Sequence, residues 1–173
     1  MPRTNSALEL RPSFLTAGSR WLLFLLVLSA AMGPVQAALQ RQATLTATVP
    51  NTYNFKYLLY LPPGYDPNGT TQWPLMIFLH GAGERGTNPD VVAVNGPPML
   101  IEKGRDFPAI VISPQCSDSW WDYTALELFI EDRVRQYRVD PDRVYVTGLS
   151  MGGYAVWDLA VNHPGNYAAA APL

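Results

Sequence analysis

The residue with the clearest chemical potential is Ser150, which lies at the centre of Gly148-Leu149-Ser150-Met151-Gly152. The residues before Gly148 favour a β-strand, and those after Gly152 are compatible with a helix. Glycines two residues before and after a serine permit a strand-to-helix turn that is too tight for a Cβ at either position. Such a turn exposes the hydroxyl at the positive end of the helix. The spacing therefore predicts a nucleophile, and the simpler alternative is that Ser150 only caps the helix.

A second element with chemical potential is His80-Gly81-Ala82-Gly83, which directly follows the apolar residues 74–79. A continuous apolar run of this length is typical of a strand that is buried on both faces of a parallel sheet. Small residues at the end of such a strand let the backbone approach a ligand closely. Alone, this pattern indicates only a loop. Together with Ser150 it predicts one site, built from the carboxyl ends of two strands.

The rest of the chain must supply the elements that position these two loops. Residues 44–49 and 55–61 are predicted strands that pair as a hairpin at a sheet edge. Buried strands are predicted at residues 74–79, 109–113 and 144–147, and a final small-residue strand at 167–171. Helices are predicted at residues 98–103, at 124–137 and from Ser150 to about 162–165, and a turn at Asp140-Pro141-Asp142. Strands alternating with helices indicate an α/β fold with a mostly parallel sheet.

Three motifs in order resemble the α/β-hydrolase superfamily: Tyr60-Leu61-Pro62-Pro63-Gly64-Tyr65, Leu79-His80-Gly81-Ala82-Gly83-Glu84-Arg85-Gly86 and Gly148-Leu149-Ser150-Met151-Gly152-Gly153. The resemblance extends from about residue 44 to Leu173. It is to secreted carboxylesterases, prolyl-oligopeptidase-like enzymes, phospholipase/carboxylesterases and polyhydroxybutyrate-depolymerase-like esterases. It implies an α/β-hydrolase fold with an N-terminal antiparallel hairpin, and ester hydrolysis through an acyl-serine intermediate.

The resemblance also implies roles for individual residues. Ser150 corresponds to the nucleophile, and the backbone amide of Met151 to one donor of the oxyanion hole. The second donor corresponds to the amide of Ala82 or, as the alternative, of Gly81. Candidate substrate-binding residues are Trp120, Trp121 and Arg85, although both tryptophans are equally well explained as core or loop anchors.

The catalytic acid and histidine of this superfamily follow the serine in sequence. The chain has two histidines, His80 and His163. His163 lies about 20 Å from Ser150 along the predicted helix and is excluded as the base. His80 is expected to support the oxyanion loop. We therefore expect the acid and the base beyond Leu173, and a chain that is truncated near the sixth strand and inactive alone.

Two further functions remain open at this stage. A serine peptidase of the prolyl-oligopeptidase type would use the same nucleophile, but the chain has no room for the propeller that restricts access in those enzymes. A non-catalytic secreted binding module would retain the fold without an activated serine. The expected partners are accordingly a small-molecule ester or a short peptide.

The amino-terminal segment differs from the rest of the chain. Three arginines, the apolar residues 21–31 and the small residues before position 38 predict a signal peptide over residues 1–37. The catalytic part then comprises residues 38–173, with a periplasmic or extracellular location and no membrane anchor after cleavage.

A net charge of −2 without a basic cluster gives no indication of nucleic-acid binding. One cysteine, Cys116, and two histidines provide no metal or redox motif, so no cofactor is expected.

Overall fold

The computed structural model describes residues 40–49 and 51–173, with the side chains of residues 45–49 and 51–53 left aside. The predicted signal peptide, residues 1–37, lies outside the described residues and stays a prediction. Within the described ranges, no helix combines the length and the apolar character that a membrane span requires.

Six strands form one mixed sheet. In chain order they are β1 (Gln40–Val49), β2 (Asn51–Tyr60), β3 (Trp73–Leu79), β4 (Ile110–Pro114), β5 (Val139–Gly148) and β6 (Ala169–Pro172). Their spatial order is β1-β2-β4-β3-β5-β6. The pairs β1–β2 and β2–β4 are antiparallel, and the pairs among β4, β3, β5 and β6 are parallel. The predicted mostly parallel sheet with an N-terminal antiparallel hairpin is confirmed.

Helices cover both faces of the sheet. They are α1 (Gly96–Glu102), α2 (Tyr123–Gln136) and α3 (Met151–Asn162). Two short 3₁₀ segments, Ala82–Glu84 and Pro89–Val94, lie between β3 and α1. Because side chains alternate along a strand, Leu75, Ile77 and Leu79 of β3 face one side and pack with α2 and α3. Phe78 faces the other side and packs against the Pro89–Val94 segment.

The start of α2 explains one acidic residue that the sequence left without a role. Asp122 precedes the helix, and its carboxylate accepts a hydrogen bond from the amide of Ala125 at 2.9 Å. This is an N-cap, which satisfies an amide that the helix itself leaves without a partner. Asp122 is therefore structural in this conformation.

The strand that leads to Ser150 begins earlier than its apolar pattern indicates. β5 starts at Val139, which pairs with Trp73, and pairing resumes at Val144 with Leu75. The intervening residues 140–143 contain the predicted Asp-Pro-Asp turn, and they are accommodated as an irregularity in the strand. The Asp142 amide donates to the Asp140 carboxylate at 3.1 Å, as in the predicted turn, and this turn interrupts β5, because pairing with β3 occurs on both sides of it.

Candidate active site

The turn around Ser150 has an unusual backbone conformation. Ser150 has φ 53° and ψ −113°, and it is the one non-glycine residue with positive φ in the described ranges. An L-residue in this region is strained by about 1–3 kcal/mol, so the surrounding structure must hold it there. Two backbone hydrogen bonds do so: the Ser150 amide donates to the Leu173 carbonyl at 2.8 Å, and its carbonyl accepts from the Tyr154 amide at 3.1 Å.

The two glycines flanking Ser150 let three backbone segments pack in direct contact. A methyl group on Gly152 would lie 2.0 Å from the carbonyl oxygen of Leu79. A methyl group on Gly148 would lie 2.6 Å from the carbonyl oxygen of Gly152. The first turn of α3 therefore rests on the end of β3, as the tight turn predicted from the glycine spacing requires. The same contact brings Ser150 to the loop that follows β3.

The loop after β3 is fixed by His80, which is fully buried. The Nδ1 atom of His80 lies 2.7 Å from the Gly81 carbonyl oxygen, and Nε2 accepts a hydrogen bond from the Cys116 amide at 2.9 Å. Nε2 is thus an acceptor and Nδ1 a donor, which defines a neutral tautomer. Burial lowers the pKa of His80 and favours the same neutral form.

These contacts determine the direction of the next amide in the loop, that of Ala82. In a trans peptide the N–H and C=O groups point in opposite directions. Because the Gly81 carbonyl points to the buried His80 ring, the Ala82 amide points to the opposite side, where Ala82 is exposed. Gly81 itself lies beside Ser150, since a methyl group on it would lie 3.6 Å from Ser150 Cβ. This arrangement favours Ala82 over Gly81 as the donor.

The amides at the site that have no backbone partner in the part of the chain that the structure describes include the two predicted donors. They belong to Ala82 and to Met151, the first residue of α3. Helix-start amides have no intrahelical acceptor, and they carry the positive end of the helix dipole. Both predicted donors therefore lack a backbone acceptor in the described ranges, and their role in an oxyanion hole stays a prediction.

Side chains from three segments hold the loop after β3 in place through hydrogen bonds. The Gln115 amide group donates to the Glu84 carbonyl at 2.8 Å, and Asn95 donates to the Glu84 carboxylate at 2.9 Å. The Arg85 guanidinium donates to the carbonyl of Ala82 at 2.8 Å and to that of Ser119 at 2.9 Å. Arg85 is thus engaged with backbone, whereas the sequence assigned it to substrate binding.

The two tryptophans have different environments. Trp121 is 3% exposed and packs on His80, with ring centroids 4.9 Å apart, so it anchors the loop. Trp120 is 46% exposed and stacks with Tyr154 of α3 at 6.0 Å. Tyr154 and Ser150 both line a groove of about 350 Å³. Trp120 is thus the tryptophan that contacts a residue of this groove, and the contact of either tryptophan with substrate stays a prediction.

His163 is engaged at the other end of α3. Its Nδ1 lies 3.6 Å from the carboxylate of Glu127, a nearly buried side chain of α2. Glu127 also accepts hydrogen bonds from Asn166 at 2.6 Å and Tyr167 at 2.5 Å, and burial, reinforced by this carboxylate, raises the pKa of Tyr167. With both ring nitrogens of His80 engaged as well, neither histidine is placed to deprotonate Ser150.

Cys116 takes part in the site through its backbone. Its amide bonds to His80, and its carbonyl accepts from the Gly86 amide at 3.0 Å. Its thiol is buried, and burial raises the thiol pKa, so the sulfur is predominantly protonated. Across residues 40–49 and 51–173, no cluster of three or more candidate ligands is arranged to hold a metal ion.

The bracing residues Gln115, Asn95 and Glu84 were not identified from the sequence. Each acts on another segment, and Gln115 and Arg85 bond to carbonyl oxygens, which every residue type provides. No local motif could have indicated them. The exposed Tyr154, which lies in the helix after Gly152, was not identified either.

Comparison with known proteins supports the interpretation of these loops. No family model matches the chain. A curated relative, "Probable feruloyl esterase C" of Aspergillus terreus, is 29% identical over 141 residues, which cover 77% of this chain and 51% of the relative. The chain therefore spans about half the length of that relative.

Solved structures agree with the sheet topology. A thermostable esterase superposes with a TM-score of 0.62 at 28% identity, covering 77% of this chain and 40% of that structure. A feruloyl esterase module from Clostridium thermocellum, crystallised with sinapinate, superposes with a TM-score of 0.58 at 23% identity, covering 81% and 55%. The chain has an α/β-hydrolase fold, and it is similar to esterases over most of its described length.

Proposed function

We propose that this chain carries the nucleophile and the oxyanion hole of an exported serine esterase. The observation that carries the proposal is the strained conformation of Ser150 at the start of α3, beside the loop after β3; the amides of Met151 and Ala82 in these two segments have no backbone partner in the described ranges. A serine that only capped α3 would need no positive φ, and its side chain would accept a hydrogen bond from the helix, which it does not. The similarity to esterases supports the reaction class.

The proposed reaction begins with attack of Ser150 Oγ on an ester carbonyl carbon. The serine proton is transferred to a base, and the carbonyl oxygen becomes an oxyanion that accepts hydrogen bonds from Met151 and Ala82. Each such donor typically contributes about 2.7–4 kcal/mol to transition-state stabilisation. Expulsion of the alcohol leaves an acyl-serine, and water then releases the acid and regenerates Ser150.

In this proposal, the catalytic base is a residue that lies outside the printed sequence. His80 is held between the Gly81 carbonyl and the Cys116 amide, and His163 lies beside Glu127. We therefore propose that residues 38–173 alone are inactive on esters. Without its base, such a site accelerates hydrolysis at best about 10³–10⁴-fold over the reaction in water.

For the substrate we propose an ester with an aromatic acid portion. The relative from Aspergillus terreus is named a feruloyl esterase, and the Clostridium thermocellum module was crystallised with sinapinate. In this chain the exposed Trp120 and Tyr154 present aromatic surface next to Ser150. Aromatic rings stack favourably on such surfaces, with about 0.5–1.5 kcal/mol beyond the area they bury.

The test uses the full-length protein encoded by the gene, its Ser150→Ala variant and, as the control, Thr71→Ala, a change at an exposed hydroxyl residue before β3. The wild type and the control are expected to react with a fluorophosphonate probe and to hydrolyse methyl ferulate, and Ser150→Ala to do neither. An unreactive wild type would favour the binding module. Hydrolysis of aminoacyl nitroanilides without esters would favour the peptidase.

A further inference from the structure

The side chain of Arg85 makes two contacts that the proposed reaction does not yet use. It joins the carbonyl of Ala82, in the loop after β3, to the carbonyl of Ser119, in the loop after β4. We infer that Arg85 is a positioning residue that holds the oxyanion donor and the Trp120 loop in one fixed geometry. This inference rests on the proposed function.

The first contact controls the direction of the oxyanion loop. The Ala82 carbonyl is bonded to Arg85 Nε, and the preceding Gly81 carbonyl is bonded to His80. The Ala82 amide lies in the peptide plane of the Gly81 carbonyl, and the Ala82 carbonyl lies in the next plane, so both planes that meet at the Ala82 Cα are held. Without Arg85, the second plane loses this hydrogen bond, and Ala82 is held from the side of the first plane alone.

The second contact connects this loop to the aromatic surface. Ser119 directly precedes Trp120, whose indole also donates to the Tyr123 hydroxyl at 2.7 Å. Trp120 stacks with Tyr154, which follows Ser150 by one turn of α3. Arg85 thus completes a chain of contacts from the oxyanion loop, across the predicted aromatic surface, to the nucleophile helix.

The chemistry of the side chain explains why this position carries an arginine. Its guanidinium presents donors in a rigid plane, so that Nε and a terminal nitrogen bond two different carbonyls at once. The ammonium group of lysine is a single point and cannot reproduce both directions. Arg85 is exposed and has no carboxylate partner in the described ranges, so the two carbonyls are its identified polar contacts there.

The test compares Arg85→Lys and Arg85→Ala with Arg143→Lys in the full-length protein. Arg143 is a matched control because it bonds Asp140 and the Gln72 carbonyl, where β3 and β5 begin, at the opposite end of the strands from Ser150. With the neutral substrate p-nitrophenyl acetate, both Arg85 variants are expected to lose about 10- to 100-fold in kcat, with KM nearly unchanged. Millimolar guanidinium is expected to restore part of the kcat of Arg85→Ala.

Affinity for a boronic acid provides a second measurement, because its tetrahedral adduct occupies the oxyanion hole. Its affinity is expected to fall by the same factor as kcat, while the thermal midpoint stays close to that of the wild type. The inference is overturned if kcat is unchanged, if only KM rises, or if Arg143→Lys loses as much. An inactive wild type would instead reject the proposed function.

Discussion

Replacement of Gly152 by alanine tests whether the Ser150 turn and the loop after β3, the proposed oxyanion loop, form one rigid unit. The new methyl group would lie 2.0 Å and 2.5 Å from the carbonyl oxygen and carbon of Leu79, and 2.8 Å from the carbonyl oxygen of His80. All three are backbone atoms, so no side-chain rotation can relieve the contact. Either α3 or the end of β3 must move by about 1 Å, since carbon atoms in contact are separated by about 3.5–4.0 Å.

The expected cost follows from this geometry. Inserting a methyl group into a well-packed core costs about 1–3 kcal/mol when the surroundings adjust. Because only backbone can adjust here, we expect at least about 3 kcal/mol. At about 2–4 °C per kcal/mol for a domain of 150–250 residues, the thermal midpoint falls by about 6–12 °C. The displaced strand end carries the oxyanion loop with it, and a misplacement of about 1 Å costs about 100-fold in kcat.

Two glycines provide matched controls for this measurement. A methyl group on Gly83, in the oxyanion loop, or on Gly165, after α3, meets no atom within 4 Å. Gly83→Ala and Gly165→Ala are therefore expected to change the thermal midpoint little. Thermal melts and hydrolysis of p-nitrophenyl acetate are measured on all three variants of the full-length protein. A Gly152→Ala protein with wild-type stability and kcat would refute the direct contact between α3 and β3.

Three further predictions concern the residues around the site. Because burial lowers the pKa of His80 from its ordinary value of 6.5, the unfolded chain binds its proton at a higher pH than the folded chain. The free energy of unfolding by urea is thus expected to decrease as the pH falls below about 6.5, and His80→Gln to weaken this dependence. Trp121→Ala is expected to cost about 3–5 kcal/mol in urea unfolding, and the exposed Trp120→Ala under about 1 kcal/mol. Glu127→Ala removes a nearly buried acceptor and is expected to cost about 2–4 kcal/mol, whereas the exposed control Glu131→Ala is expected to have little effect.

The sequence was most informative where the structural requirement is local. The Ser150 turn joins a strand, two glycines and a helix within a short segment, so the residue types and their spacing specify it. The conformation of Ser150 agrees with that prediction, whereas its role as nucleophile stays a prediction. The hairpin of β1 and β2 was predicted for the same reason, although both strands start earlier than their alternating pattern, at Gln40 and Asn51.

The sequence was least informative where a residue acts on a distant segment. Arg85 bonds a carbonyl 34 positions away, and Gln115 one 31 positions away, and any residue type offers such an acceptor. Two tryptophans that are adjacent in sequence received the same prediction. The structure separates them, because the turn before α2 directs Trp121 to His80 and leaves Trp120 exposed.

The precision of the candidate site derives from the register of β3 and β5. Leu79, the last residue of β3, pairs with Gly148, the last residue of β5, and its carbonyl accepts from the Leu149 amide at 3.0 Å. The same carbonyl limits the space at Gly152. A shift of one residue between these strands would turn their side chains to the opposite faces, which the buried residues of β3 do not permit. The hydrophobic pattern of two strands therefore fixes the distance between Ser150 and the oxyanion loop, and the polar contacts of His80 and Arg85 need only set the direction of its amides.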